Sequence, residues 1–318
     1  MAAMHKTKQY LLALGKVLVL VVTFIYIFYR LQNNPVLDFM DFANGIFLKG
    51  AAATGYFLVT FLLLALGNWY FEILKWQNLI STLEKIDFKT ALKQSLASLT
   101  VSLATPNRIG EYGAKALFFP NNLRKKVLLL NFFSNTTQLT VTLLFGLVGM
   151  FYFIYNHKVA YSSVALFIFG VMLISIAVIG YFLREKDLFL KGFSITNIIL
   201  HIQKFPNSLK LKIFTFSVLR YLIFSGMFYG MLLFFGAHIS VYTGMALIFA
   251  MYLLVSIVPT IFIFDVVVRG GVAVWLFSFV GIPELTVLST VLAMWIFNFV
   301  LPSILGSFYV LTYQPISR

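Results

Sequence analysis

The sequence predicts an all-α integral membrane protein with six spanning helices plus two oppositely oriented re-entrant helical hairpins, the inverted-repeat layout of transporters. Three observations carry that prediction. Of its 318 residues 61% are hydrophobic and 11% charged, with a mean hydropathy of +0.94, more apolar surface than a soluble domain can hide from water. Apolar runs of about 20 residues, the length a helix needs to cross about 30 Å of hydrocarbon, recur along the chain. Lys and Arg gather in alternate connections, which sets the orientation of the spans. One polytopic domain over 1–318 follows, its first half (1–183) holding a hairpin in 91–119 and its second (184–318) one in 241–281.

The elements follow in order. A short basic leader with Lys6 and Lys8 precedes Leu11–Tyr29, which is too long for a signal-peptide core, lacks an Ala-x-Ala cleavage pattern and is expected to stay as the first span. Gly50–Trp76 is the second, long enough to tilt. The connection "NLISTLEKIDFKTALKQ" has Lys85, Lys89 and Lys93 opposed by Glu84 and Asp87, and reads as a basic amphipathic segment on the cytoplasmic surface. Val127–Tyr155, Tyr161–Leu183, Lys212–Phe235 and Glu284–Leu311 complete six spans. The rest forms two broken pairs, Ala91–Ala104 with Ile109–Phe119, and Val241–Val258 with Val266–Val280. The arms of the first pair correspond to about 21 and 17 Å of helix, so neither crosses alone.

Loop charge fixes how the pairs sit. With a cytoplasmic N-terminus, the second span returns at the basic segment and Arg124, Lys125 and Lys126 follow the first pair, so both of its ends are cytoplasmic. The second pair begins outside and, because the last span must end at cytoplasmic Arg318, also finishes outside. Only Arg30, Lys49 and Lys158 then face outward. The two pairs enter from opposite sides and are expected to meet near the midplane, where "PNRIGEYGAKALFF" aligns weakly with "FDVVVRGGVAVWLF". The net charge of +14 is thereby a mark of topology and of contact with anionic headgroups, not of nucleic-acid binding.

The candidate site lies in these broken pairs. Asn107, Arg108, Glu111, Lys115, Asp265 and Arg269 sit in segments of membrane depth, where a charge at a helix centre costs at least about 2.5 kcal/mol, so they are expected to face inward as a substrate-binding set. Pro106 ends the first arm, and Asn107 is placed to cap the next near Ile109, which would aim a half-helix dipole at an anion. Gly110 and Gly113, with Pro259, Gly270 and Gly271 in the second pair, are read as shaping the hairpins. The alternative is pairing between hairpins alone, Glu111 with Arg269 and Arg108 with Asp265. For Lys115 and Arg220, lining a cavity competes with snorkelling to the surface. The stretch "SNTTQLT" (Ser134–Thr140) reads first as interhelical hydrogen bonding and otherwise as a polar lining.

Several chemistries are excluded or unsupported. There are no cysteines, which removes disulfides, thiolate nucleophiles and Cys-ligated metal; the four histidines fall in separate tails or loops, so no metal site, catalytic imidazole or cofactor is expected. No P-loop, Asp-x-Asp motif or lipase elbow is present, and no catalytic residue is assigned.

With those residues in hand, the chain resembles the lysylphosphatidylglycerol synthase transmembrane-region family, the flippase half of the bacterial multiple peptide resistance factor and its stand-alone relatives. The resemblance rests on "TPNRIGEYGAKALF", with Pro106, Arg108, Gly110 and Glu111, and on Pro259 and "RGG" at Arg269 to Gly271. It implies a lipid translocase of the bacterial cytoplasmic membrane, with both termini cytoplasmic, that moves an anionic phospholipid or isoprenoid-linked headgroup between leaflets. This chain has Val272, Ala273 and Val274 where the family's second motif commonly places a Glu, and no aminoacyltransferase domain is expected after Arg318, so lipid aminoacylation by this chain is not expected. The expected partners are membrane lipids, with room for a lipid-modifying enzyme or a second copy of the chain. Two rival readings are a membrane partner that presents lipid-linked substrate to a glycosyltransferase or synthase, and an integral membrane transferase using Glu111 or Asp265 as base.

Overall fold

The computed structural model describes residues 50–103, 105, 109–157, 194–258 and 262–313, and these are helical throughout apart from short turns. The helices are α1 (Gly50–Ile80), α2 (Phe88–Ser102), α3 (Gly110–Leu117), α4 (Asn121–His157), α5 (Ile195–Gln203), α6 (Asn207–Phe234), α7 (Val241–Ile257), α8 (Phe262–Ser278), α9 (Glu284–Trp295) and α10 (Leu301–Leu311), the last two joined by a π-helical turn, Ile296–Val300. Four segments among the described residues are long and apolar enough to cross a membrane: Gly50–Ile80, Asn121–Asn156, Asn207–Phe234 and Glu284–Leu311. They match four of the six expected spans. The other two, Leu11–Tyr29 and Tyr161–Leu183, lie outside the described residues.

The boundaries differ from the hydropathy reading where helices run on past the apolar stretch. α4 begins six residues before Val127 and takes in Arg124 to Lys126, and α6 begins at Asn207 after Pro206 rather than at Lys212. Charge ends a hydropathy window, but it does not end a helix that has reached water. The basic connection is not one amphipathic segment: α1 continues to Ile80, a turn follows, and Asp87 caps α2 by accepting the Thr90 N–H at 2.9 Å. α5, capped by Ser194, is an addition to the expected elements in the basic stretch before α6. The broken pairs are present as α2 with α3 and α7 with α8, and the members of each pack together. Gly236 (φ +94°) and Gly281 (φ +71°) stop α6 and α8, each followed by an N–H that bonds five residues back, from Ala237 to Leu232 and from Ile282 to Phe277.

Helix contacts use small residues for close approach, as expected where lipid removes the hydrophobic drive between helices. α4 lies along α7 through Gly146 and Gly149; a Cβ at Gly149 would strike the backbone of Ala246 and Ala250. α10 lies on α2 through Gly306, which meets the Leu96 carbonyl, and Thr100 Oγ1 donates to Ser303 O at 2.9 Å. The main core joins α1, α4 and α6 to α9 around Phe228, Met251 and Phe277. The outer surface is the reverse of a soluble protein's, with Leu63, Leu147, Phe151, Leu305 and Phe308 exposed, which suits lipid and not water.

Candidate functional site

Polar side chains inside this apolar body fall at helical spacing, so each helix presents them on one face. On α1 they are Asn68, Glu72 and Lys75, and on α4 Asn131, Asn135, Gln138 and Thr142, a track about 16 Å long. Packing α1 against α6 and α4 brings the two tracks together. Arg220 of α6 binds the α1 track at two points: its Nη1 donates to Glu72 Oε2 at 2.7 Å and its Nε to Asn68 Oδ1 at 3.1 Å. Lys75 Nζ lies 2.9 Å from the same Glu72 oxygen. Glu72 and Lys75 are buried, and a carboxylate there is tolerable only because cations flank it.

The seam continues into α3. Lys115 Nζ donates to Glu111 Oε1 and to Asn131 Oδ1, both at 2.8 Å, and stands 4.4 Å from the Trp76 ring centre. Trp76 in turn donates its indole N–H to Gln94 Oε1 at 2.8 Å. Lys115 is therefore a buried, saturated ion-pair member and does not snorkel.

At its other end the seam is anchored by Asn298 in the π-turn. Pro302 has no N–H for the carbonyl four residues back, and that carbonyl, of Asn298, accepts the Trp69 indole N–H at 3.1 Å. The Asn298 side chain accepts from Asn68 Nδ2 at 2.9 Å. A single π-turn inside a span, with a buried polar residue aimed inward, is a frequent device at functional sites.

Two spaces adjoin the seam. One is a cavity of about 560 Å³, within the range of small-molecule sites, walled by Asn135, Gln138 and Thr142 of α4, Arg220 of α6, Tyr252 of α7, and Asp265 and Arg269 of α8. The other is a crevice of about 20 Å³, room for about one water, lined by Glu72, Ser95, Glu111 and Lys115. Arg220 and Asn135 line both and stand between them. In the cavity Arg269 Nη2 donates to Asp265 Oδ2 at 3.1 Å, and its guanidinium lies 5.6 Å from the Tyr252 ring centre.

The predicted site residues thus divide. Asp265 and Arg269 face the cavity, whereas Glu111 and Lys115 face the crevice. Glu111 pairs with Lys115 and Arg269 with Asp265, each within one helix at i, i+4 spacing, so these two salt bridges do not tie one hairpin to the other. Asn107, Arg108, Pro106 and Pro259 lie outside the described residues. The residue before α3 is Ile109, whose side chain caps nothing, and the Gly110 N–H donates to Thr105 Oγ1 at 2.8 Å; the capping expected of Asn107 falls outside the described residues. A Cβ at Gly110 would collide with Thr105, and one at Gly270 would crowd Leu288, but at Gly113 or Gly271 it would meet nothing within 4 Å, so close approach does not require those two glycines. Gln138 does both things its segment allowed, donating to Ser217 O at 3.3 Å and lining the cavity.

Sequence reasoning missed Asn68, Glu72, Lys75, Asn131 and Asn298. The available signal was the spacing of four and then three residues from Asn68 to Lys75 inside an otherwise apolar span, a one-faced polar stripe.

A family model described as the lysylphosphatidylglycerol synthase TM region matches residues 10–306. No curated protein and no solved structure matches the chain.

Proposed function

This chain belongs to the lysylphosphatidylglycerol synthase TM-region family, and on that premise we propose that it is a lipid translocase that moves an anionic phospholipid or lipid-linked headgroup between leaflets. The observation that carries the reading is the cavity of about 560 Å³ with two guanidiniums, Arg220 and Arg269, in its wall. A guanidinium fork matches a phosphodiester, and each is aimed by a carboxylate, Glu72 for Arg220 and Asp265 for Arg269. Asn135, Gln138 and Thr142 add neutral groups suited to hydroxyls of a headgroup. Only the headgroup would leave water; the acyl chains would stay in the bilayer against the exposed leucines and phenylalanines.

The topology belongs to the same reading. α2 and α3 reach about 22 and 12 Å, and α7 and α8 about 26 Å each, all short of about 30 Å of hydrocarbon, so the pairs serve as re-entrant hairpins between six spans. The membrane is the bacterial cytoplasmic membrane, with both termini cytoplasmic. The matched family region is the membrane part of a synthase, so the role assigned to this chain is movement of lipid and not its aminoacylation.

The test is a scan of single cysteines, for which the chain has no native cysteine to interfere. Positions 102–119 and 256–275, with Gln138 and Thr142, would be labelled from either side of the membrane in vesicles. The expected result is labelling at the cavity wall that an anionic lipid blocks and a zwitterionic one does not. Cavity positions that never label, together with reconstituted protein that moves no labelled anionic lipid, would sink the proposal.

A further inference from the structure

Lys75 is the buried charge that headgroup binding leaves without a task. Its side chain is 1% exposed and its Nζ lies 2.9 Å from Glu72 Oε2, yet that nitrogen makes no aligned hydrogen bond. Among the described residues the charged groups around it are Glu72 on its own helix, Arg220 from α6, and Lys115 with its partner Glu111 from α3. α2 brings Gln94 and Ser95 to this region, and α4 Asn131 and Asn135, all uncharged.

Among the described residues the seam therefore sets two carboxylates against three cations. Lys115 has Glu111, Asn131 and the Trp76 face; Arg220 has Glu72 and Asn68 and cannot give up its proton. Lys75 is the third cation, and an amine is the one group of the three that sheds charge readily when buried beside like charges. Lys75 also lies about 8 Å along the axis from the end of α1 at Ile80, where the chain turns out to water.

We propose that Lys75 is a proton-exchanging site coupled through Glu72 to anion binding at Arg220, so that the headgroup and one proton bind together; this rests on the headgroup reading above. Without ligand, at a pH high enough to free the amine, Lys75 is neutral and Glu72 is balanced by Arg220. A phosphodiester entering the cavity brings one negative charge and draws Arg220, whose Nη2 is not engaged by Glu72 or Asn68. The Lys75 lone pair then takes one proton from water on the side of the turn after Ile80, and the resulting ammonium neutralises Glu72. One negative charge and one proton enter, so the seam's net charge is unchanged, and release reverses both. Translocation driven this way responds to a proton gradient.

The experiment is binding of short-chain phosphatidylglycerol to the full-length protein in detergent and weak buffer, with a pH dye reporting protons and short-chain phosphatidylcholine as control. The expected result is proton uptake on binding, and affinity that falls about tenfold per pH unit once the amine is deprotonated. Lys75→Arg, which carries a permanent charge, is expected to bind with no proton uptake and no such pH dependence; Lys75→Met is expected to bind weakly at every pH. Wild-type binding without proton uptake, or uptake that persists in Lys75→Arg, overturns the coupling while leaving the headgroup site standing. Absence of binding at every pH overturns the headgroup reading and the coupling with it. Should Lys75→Met fail to elute as a single species, Lys75→Arg alone decides the matter.

Discussion

Replacing Glu72 with Gln tests whether the seam organises the fold, because it removes one charge and almost no volume. In the native protein the Glu72 side chain is 7% exposed and lies 2.7 Å from Arg220 and 2.9 Å from Lys75, whose own side chains are 20% and 1% exposed. Removing one member of a buried pair costs about 3–5 kcal/mol, most of it from the charge left behind. Two features move the estimate to the low end. Arg220 reaches the cavity and can rehydrate there, and the Gln carbonyl keeps one acceptor worth about 1 kcal/mol, so we expect a loss of about 2–3 kcal/mol. Arg220→Met should cost a comparable amount, and the double substitution should cost less than the sum by about 1–3 kcal/mol, since the second change removes a group already orphaned by the first. The assay is denaturant unfolding of the purified protein in detergent for the four members of the cycle. Costs below about 0.5 kcal/mol that simply add would make the pair equivalent to an exposed one and refute the reasoning.

Three further outcomes are expected. Gly149→Leu should destabilise by about 1–3 kcal/mol or more, because its side chain must displace the α7 backbone at Ala246, whereas Gly113→Ala and Gly271→Ala meet open space and should leave the melting midpoint unchanged or raised. Asn298→Leu strips Asn68 of its buried acceptor and should cost about 1–3 kcal/mol in the same unfolding assay, while Asn298→Asp should restore part of the loss through Asn68 Nδ2. The hydrogen bonds from Thr90 hold the Asp87 carboxyl below its ordinary value, so its support of α2 is complete above the ordinary carboxylate range and is lost as pH falls through the lowered value. Exchange protection of the Thr90 amide should fall in that acid window, and Asp87→Asn should abolish the dependence.

Span positions were legible because hydropathy is a sum over neighbours in sequence, and the sum is strong here. Gly50, Phe235 and Leu311 were placed within a residue of the observed helix ends, and the two broken pairs were read from Pro106, Pro259 and the short arms around them. The other ends drifted, as at Asn121 and Asn207, because a helix entering water keeps its backbone bonds after its side chains turn polar. Asp265 and Arg269 were found as charges at membrane depth. Glu72 and Lys75 are also charged and are more buried than that pair, but they sit near the end of a long span, where a charge is indistinguishable in sequence from one at the surface.

Sequence by itself determined that this chain lives in a membrane, which helices are long enough to cross it, and which segments break too early to do so; these depend on side chains within a few turns of one another. Only the tertiary structure decided that Arg220 meets Glu72, 148 positions away, that Asn298 meets Asn68, 230 positions away, and that Lys115 points into a crevice and not at the surface. The first of those partnerships is set by how α1 docks on α6, where Gly230 lies against the Phe61 ring. A buried charge takes whichever partner that docking brings within about 3 Å, and spacing along the chain carries no record of it.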